Sequence, residues 1–367
     1  MSSLFEPITA GSTRLSHRVV MAPLTRVRAN DAHVHGPLAT EYYTQRASTP
    51  GTLLITEATF IAPRAGGMSH VPGIWNEAQI TAWKNVTDSV HKNGSSIFLQ
   101  LWALGRAAGA DVLAKEGIKE GVVSSSDIPI DSEHATPRPL SEQEIWDYVR
   151  EYAQAARNAI AAGFDGVEVH GANGYLIDQF TQDRSNKRTD AWGGSVEKRA
   201  RFALEVTKAV VEAVGAERVG IRLSPWSVFQ SMRMKDPVPQ FSYLISHLKE
   251  LGLAYLHLVQ SNVSAGADVE AHEQLDWAFD IWGKTSPVLL AGGYTGETAK
   301  STIGDHPQVD KMIVFGRHFI ANPDLPFRIQ NDLPLNKYDR STFYIPEEPH
   351  GYVDYPFSKE WYKQSRL

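Results

Sequence analysis

Polar residues stand at or just beyond the ends of four short apolar segments of this sequence. They are Thr25, Gln100, His170 and Arg222. Each segment has the length and the Val, Ile and Leu content of a buried β-strand, and side chains alternate between the two faces of a strand. Glu168 therefore shares an inward face with His170 in the fourth segment. One polar strand end is common, whereas four together predict a binding site for a polar heterocycle.

The turn after the fourth segment carries three side-chain donors within six residues, in the run His170-Gly171-Ala172-Asn173-Gly174-Tyr175. His170 and Asn173 can hydrogen-bond one oxygen without a formal charge, which would stabilise an enolate-like oxyanion where water is scarce. Tyr175 can supply a proton nearby. Taken alone, the histidine and the asparagine could instead satisfy the backbone of their own loop, as buried polar groups usually do. The other strand ends favour the catalytic interpretation.

Glycines follow the last two apolar segments, at Gly292-Gly293 and at Gly316, which precedes Arg317. In a barrel, the loops after the seventh and eighth strands, with the N-terminus of a short helix, are a frequent phosphate site. Arg317 adds a bidentate cationic donor. This part of the chain therefore predicts a site for a phosphate group.

The elements that must position these residues alternate regularly along the chain. Strands are predicted at residues 19–23, 53–58, 96–102, 166–170, 219–223, 255–259, 288–291 and 311–315. The clearest helices are predicted at residues 141–162, 195–214 and 239–251, and a glycine follows each of them. Parallel strands need crossover helices, so eight such units predict an α/β fold in the form of a (β/α)8 TIM barrel. The competing doubly wound sheet usually carries a G-x-G-x-x-G turn, which this sequence lacks.

The whole chain, residues 1–367, is expected to form a single domain, because no linker and no repeat of fixed period interrupts it. Residues 1–18 are predicted to form a β-hairpin that caps the bottom of the barrel. Residues 103–139 are the longest irregular stretch and follow the third strand, so we expect them on the catalytic face. Residues 335–367 are expected to form a C-terminal tail.

The composition is that of a globular enzyme, with 42% hydrophobic and 21% charged residues among 367. A net charge of −6 and the lack of a basic block argue against nucleic-acid binding. The sequence shows neither an apolar run of membrane-spanning length nor a signal-peptide pattern, which predicts a cytoplasmic protein without a membrane partner. Cysteine is absent, which excludes disulfides and thiolate metal sites, and the histidines lack metal-ligand spacing, so no metal is expected. We expect a monomer or a homodimer.

Several motifs together resemble the old yellow enzyme family of FMN-dependent ene-reductases, and its fungal members in particular. They are Ala22-Pro23-Leu24-Thr25-Arg26, the run from His170 to Phe180, Trp192-Gly193-Gly194-Ser195 with Arg199 and Arg201-Phe202, and Phe315-Gly316-Arg317. The resemblance covers nearly the whole chain and is weaker over residues 103–134. Some fungal members of the ergot-alkaloid branch replace the proton-donating tyrosine with phenylalanine, whereas this chain keeps Tyr175.

The resemblance implies an enzyme in which NADPH reduces a non-covalently bound FMN, which then reduces the C=C bond of an α,β-unsaturated ketone or aldehyde. His170 and Asn173 would bind the carbonyl oxygen of this small-molecule substrate, and Tyr175 would protonate its α-carbon. Trp102 and Tyr344 would shape the substrate pocket. The implied flavin-binding residues are Pro23, Leu24, Thr25, Ala58, Gln100, Arg222, Gly292, Gly293, Gly316 and Arg317.

Two alternative functions remain open at the level of the sequence. A retaining glycoside hydrolase on the same barrel would use two strand-end carboxylates, for which Glu57 and Glu168 are the candidates. Such a protein would be colourless. A non-catalytic flavin-binding protein would be yellow and would reduce no alkene, although the cluster of His170, Asn173 and Tyr175 supplies donors that a bound flavin does not need.

The sequence ends in Ser365-Arg366-Leu367, which resembles the peroxisomal signal Ser-Lys-Leu, with arginine keeping the positive charge of lysine. The alternative is a tail that matches by chance. If the tripeptide is read as a signal, a fluorescent protein fused to the N-terminus will show a punctate distribution by microscopy. Deleting the last three residues should then make the fluorescence diffuse, and an unchanged distribution would reject the signal.

Overall fold

The computed structural model describes residues 3–264, 267–268, 270 and 273–364, so the C-terminal tripeptide lies outside the described residues. Eight parallel strands, each paired with the next and the last paired with the first, form a closed barrel. They are β1 Val19–Met21, β2 Leu53–Ile55, β3 Ser96–Trp102, β4 Gly166–Gly171, β5 Val219–Leu223, β6 Tyr255–Val259, β7 Val288–Ala291 and β8 Lys311–Phe315. The predicted (β/α)8 fold is confirmed.

One helix connects each strand to the next. These are α1 Pro37–Arg46, α2 Glu77–Lys92, α3 Glu142–Ala161, α4 Val196–Val214, α5 Val238–Lys249, α6 Asp276–Trp282 and α7 Gly296–Thr302. Further helices lie at Ala110–Lys115, Leu176–Thr181, Arg317–Ala321, Leu325–Gln330 and Lys359–Gln364, and 3-10 turns at Ser3–Phe5, Pro63–Ala65, Gly105–Ala107, Ala216–Arg218, Phe229–Ser231 and Arg340–Thr342. Short strands outside the barrel ladder are Ile8–Ala10, Thr13–Leu15, Thr59–Phe60, Val123–Ser124, Arg138–Pro139, Val263–Ser264 and Ala267–Asp268. Among the described residues, no helix is both long and apolar enough to cross a membrane.

The predicted strands β1 and β2 end too late, and the structure shows why. Strand β1 stops at Met21 rather than at residue 23, because Pro23 has no N–H to donate to a ladder. Strand β2 stops at Ile55, because the N–H of Glu57 donates to the Tyr43 hydroxyl (3.0 Å) instead of to a neighbouring strand. In both cases the chain leaves the sheet just before residues that face the cavity described below.

The N-terminal hairpin joins Ile8–Ala10 to Thr13–Leu15 and closes one end of the barrel, as predicted. Its apolar side chains belong to the same buried cluster as inward-facing barrel residues such as Phe98 and Met312. Gly11 turns with a φ of +57°, and a β-carbon there would lie 1.8 Å from the carbonyl oxygen of Glu217. Only glycine fits this contact. Because the hairpin packs on the inner residues at this end, the opposite end of the barrel is the open one.

The segment after β3, predicted to be irregular, carries local structure. It contains Gly105–Ala107, the helix Ala110–Lys115 and a pair of short strands, Val123–Ser124 and Arg138–Pro139. The buried Arg106 guanidinium donates to the carbonyl oxygens of Ile128, Pro129 and Gln230 at 3.2, 3.2 and 2.8 Å. This arginine therefore ties the segment to the loop after β5.

A buried arginine, Arg28, fastens the C-terminal tail to the barrel and pairs with no carboxylate among the described residues. Arg28 donates to the carbonyl oxygens of Phe343, Thr342, His350 and Glu348 at 2.8 to 3.1 Å. Its guanidinium also lies 4.9 Å from the centre of the Tyr352 ring. Because backbone oxygens of the tail are the acceptors, the bonds fix the path of the tail.

Arg28→Met should therefore lower the free energy of unfolding by about 3 kcal/mol, because several buried carbonyl oxygens lose a charged donor. Urea unfolding followed by circular dichroism measures the change. The matched control is Arg14→Met on the exposed side of the hairpin, which should change stability by less than about 0.5 kcal/mol. Equal stability of the two variants would contradict the proposed role of the arginine.

Candidate active site

A cavity of about 560 Å³ opens at the carboxyl ends of the barrel strands, opposite the hairpin. All fifteen residues predicted for cofactor and substrate line it, so the structure brings together residues from every part of the chain. They are Pro23, Leu24, Thr25, Ala58, Gln100, Trp102, His170, Asn173, Tyr175, Arg222, Gly292, Gly293, Gly316, Arg317 and Tyr344. The barrel topology explains the convergence, since parallel strands present their carboxyl ends on one face.

A buried ionic network forms the floor of the barrel interior below this cavity. Glu168 has no solvent exposure, and it accepts hydrogen bonds from Gln100 Nε2 (2.7 Å) and His257 Nδ1 (2.8 Å). Burial tends to raise the pKa of Glu168, but His257, Arg222 and Gln100 together hold it below its usual value, so the carboxylate stays ionised. Burial lowers the pKa of His257 despite the neighbouring carboxylate, so this imidazole stays neutral.

Arg222 places an incompletely satisfied cation against the cavity. Its Nε is shut off from solvent and has no hydrogen-bond partner among the described residues. Burial lowers the pKa of Arg222, while Glu168 opposes this effect, and a guanidinium remains charged under any ordinary condition. A bound group with acceptor atoms would satisfy this arginine.

His170 is a neutral hydrogen-bond donor at the cavity wall. Burial, together with the charge of Arg222, lowers the pKa of its imidazole well below the usual value. Its Nδ1 accepts the N–H of Ala172 at 3.3 Å, so the proton of the neutral ring sits on Nε2. Nε2 is thus the nitrogen that remains to donate to a ligand in the cavity.

The turn that follows is held by bonds to its backbone. Asn173 adopts a left-handed φ of +57°, and its N–H donates to the Ser224 hydroxyl at 2.7 Å. The N–H of Gly174 donates to Asp178 Oδ2 at 2.8 Å, and its carbonyl oxygen accepts from Gln179 Nε2 at 2.7 Å. With the backbone satisfied in this way, the Asn173 side chain is not needed for the turn and faces the cavity.

Tyr175 packs edge-on against two other rings of the cavity wall. Its ring centre lies 4.8 Å from that of Trp102 and 5.0 Å from that of His170. Burial, and to a lesser degree Tyr344, raises the pKa of Tyr175 to about 12. The hydroxyl therefore keeps its proton at neutral pH and can act as an acid.

The end of the cavity near β7 and β8 is suited to an anion. Arg317, His318 and Arg340 line it, and no Asp or Glu does so among the described residues. Gly293 has a left-handed φ of +67°. At Gly292 a β-carbon would lie 1.9 Å from Gln260 Oε1, so a larger residue there would displace the Gln260 side chain. Arg317 is oriented by the Tyr338 hydroxyl, to which its Nη1 donates at 3.0 Å.

Several cavity residues were missed by reasoning from the sequence. They are Met68, Phe229, Tyr294, His318, Tyr338, Arg340 and Phe343, among others. Most of them lie in loops or in the tail, where no strand periodicity indicates which side chains face inward. The aromatic composition of residues 338–344 was the one signal that could have identified more of them than Tyr344.

The glycoside hydrolase alternative is wrong, because its two carboxylates are used elsewhere. Glu57 is buried, accepts the N–H of Arg26 at 3.3 Å and lies 3.3 Å from His35 Nε2. Glu168 is bound by Gln100 and His257. Neither carboxylate lines the cavity, so no acid and nucleophile flank a position that a sugar could occupy.

Curated relatives match this chain almost end to end. The chanoclavine-I aldehyde reductase of Penicillium roqueforti is 58% identical, with 99% of this chain and 98% of the relative covered. An NADP-dependent oxidoreductase of Aspergillus flavus is 55% identical over 98% and 97% of the two chains. A protein of Epichloe festucae var. lolii that is 51% identical over 100% and 98% is named a probable inactive reductase.

Solved structures give the same result for the fold. The old yellow enzyme from Pichia sp. AKU4542 superposes with a TM-score of 0.90 at 39% identity, with 98% of this chain and 94% of that chain covered. Residues 3–336 match the NADH:flavin oxidoreductase / NADH oxidase family. The chain therefore belongs to this family of flavin oxidoreductases, the old yellow enzyme family.

Proposed function

We propose that this enzyme uses NADPH and a non-covalently bound FMN to reduce the C=C bond of α,β-unsaturated aldehydes and ketones. The observation that carries the proposal is the turn of His170, Asn173 and Tyr175. It presents two neutral donors and one protonated acid to the same cavity. A protein that only stored a flavin would need none of the three.

The cavity fits FMN at both ends. Thr25, Gln100 and Arg222 offer donors for the polar edge of the flavin ring, and the unsatisfied Nε of Arg222 calls for an acceptor. Gly293, Gly316 and Arg317 would hold the phosphate in a region free of carboxylates, while Pro23, Leu24, Gly292 and Ala58 complete the lining. With no cysteine in the chain, no thioether to the flavin can form. Bound FMN supplies the hydride-transfer chemistry that the side chains cannot provide.

His170 and Asn173 would bind and polarise the carbonyl oxygen of the substrate. Negative charge develops on this oxygen when a hydride reaches the β-carbon, and hydrogen-bond donors placed in advance stabilise that charge. His170 serves as a donor through Nε2 while remaining uncharged, because its pKa is strongly lowered. The aromatic walls of Trp102 and Tyr344 would keep the substrate flat and exclude water.

Tyr175 would then donate its hydroxyl proton to the α-carbon. A pKa of about 12 keeps the group protonated at neutral pH. One relative in the family is named a probable inactive reductase. Retention of Tyr175 in this chain favours an active alkene reductase.

The reductant and the substrate class rest on further observations. Arg340 gives the cavity mouth a positive charge, which suits a phosphorylated nicotinamide nucleotide, and one relative is named NADP-dependent. Another relative is named for an aldehyde, which supports an enal as the substrate. The reductant and the substrate would bind in the same cavity in turn, because this cavity opens at the carboxyl ends of the strands.

The absorbance spectrum of the purified protein is the first test. We expect a yellow protein whose colour moves to the supernatant after acid precipitation. NADPH should bleach it without oxygen, and cyclohexenone should then restore the colour. A colourless protein that takes up no FMN would overturn the proposal. A protein that NADPH bleaches but no enone or enal reoxidises would be the non-catalytic alternative.

Tyr175→Phe should separate the two half-reactions. Flavin reduction by NADPH needs no proton from this residue and should keep its rate, whereas enone reduction should slow by about 10²-fold or more. Stopped-flow absorbance measures both steps. His170→Ala is the comparison, because it should also weaken substrate binding. Reduction of cyclohexenone at the wild-type rate by Tyr175→Phe would mean that another group supplies the proton.

A further inference from the structure

The carboxylate of Glu168 does not line the cavity, yet it is hydrogen-bonded to Gln100, which does. Gln100 Nε2 donates to one of its oxygens at 2.7 Å, and both residues stand opposite each other in the parallel pairing of β3 with β4. His257 Nδ1 donates to the other oxygen at 2.8 Å. Arg222 stands beside His257 in the pairing of β5 with β6, and its charge acts on Glu168. The proposed reaction assigns this buried carboxylate no role.

The negative charge of the buried Glu168 carboxylate needs a compensating positive charge. Glu168 is fully excluded from water, and an unpaired charge in such a place is costly. His257 is neutral, so the cation that balances Glu168 is Arg222. Arg222 in turn lines the cavity. The negative charge of Glu168 therefore partly offsets the positive charge of Arg222 that a bound flavin would meet.

We propose that Glu168 is a positioning residue that tunes the flavin through Arg222 and Gln100. It would hold Gln100 in place through its hydrogen bond and act on Arg222 through its charge, and this negative charge would disfavour the electron-rich reduced form of the flavin. The inference rests on the proposed binding of FMN in this cavity, and it does not depend on which alkene is reduced. Since the charge acts differently on the two redox forms, its signature is a shift in midpoint potential.

Glu168→Gln tests the charge with little change of shape. The amide can keep a hydrogen bond while the negative charge is lost. The charge of Arg222 is then no longer offset, and the electrostatic potential in the cavity becomes more positive. Reduced FMN should gain affinity relative to oxidised FMN by about tenfold or more, which is about 30 mV towards positive potential for a two-electron couple. Dye-linked spectroelectrochemistry measures the midpoint potential of the FMN-loaded protein. Fluorescence quenching measures the dissociation constant of oxidised FMN.

The matched control is Asp324→Asn. Asp324 is also fully buried and pairs with Arg328 at 2.6 Å, but neither residue lines the cavity. Its replacement should leave the potential unchanged. If Glu168→Gln weakened both redox forms of FMN equally, the potential would not move, and Glu168 would have a structural role only. A shift to negative potential would overturn the inference as well.

Glu168→Asp provides a second, independent test that remains if the glutamine variant does not fold. It keeps the charge but withdraws the carboxylate from Gln100 and His257 by one methylene. We expect weaker binding of oxidised FMN, by about tenfold, with a midpoint potential close to that of the wild type. Wild-type FMN affinity in a folded Glu168→Asp protein would overturn the positioning role. A wild-type protein that binds FMN but reduces no alkene would contradict the proposed function and leave this inference intact.

Discussion

Exclusion of water from the inside of a closed barrel is the constraint on which this structure depends. The N-terminal hairpin and the apolar inner residues exclude water from one end of the barrel. Every buried polar side chain above them therefore needs a hydrogen-bond partner within the protein or in a ligand. Glu168 meets this requirement with Gln100 and His257. Arg222 lines the cavity, and its buried Nε has no acceptor among the described residues. The same constraint that stabilises the network thus creates the demand for a bound group in the cavity.

Two buried arginines fix segments around the cavity mainly through bonds to backbone oxygens. Arg106 ties the segment after β3 to the carbonyl of Gln230, and Arg28 ties the tail to the barrel in the same way. Such contacts constrain the path of the chain and are indifferent to the side chains at the acceptor positions. Side chains of the tail and of these loops can therefore change without moving the backbone of the cavity wall. Such changes would allow one fold to bind different substrates.

Much of this arrangement could be predicted from the sequence, for a physical reason that also marks the limit. Alternation along strands and the convergence of parallel strands place Gln100, His170 and Arg222 in one cavity without any knowledge of the loops. Loops carry no such period, so Met68 and Phe229 could not be recognised as cavity residues. The partners of Glu168 could not be predicted either, because strand position reveals that it points inward but not that Gln100 and His257 lie within hydrogen-bond distance. The ends of β1 and β2 depended on Pro23 and on the Tyr43 hydroxyl, the second of which is a tertiary contact.

The two ends of the cavity differ in charge, and this difference bears on how one site can serve successive ligands. Near β4 the groups are neutral, since burial strips His170 of its charge and keeps the proton on Tyr175. Near β8 the groups are cationic, with Arg317 and Arg340. An anionic phosphate is held strongly by fixed cations, whereas a neutral carbonyl compound is held only by hydrogen bonds and ring contacts. A cofactor that carries a phosphate would therefore stay bound through many cycles, while uncharged substrates and products could exchange at the neutral end.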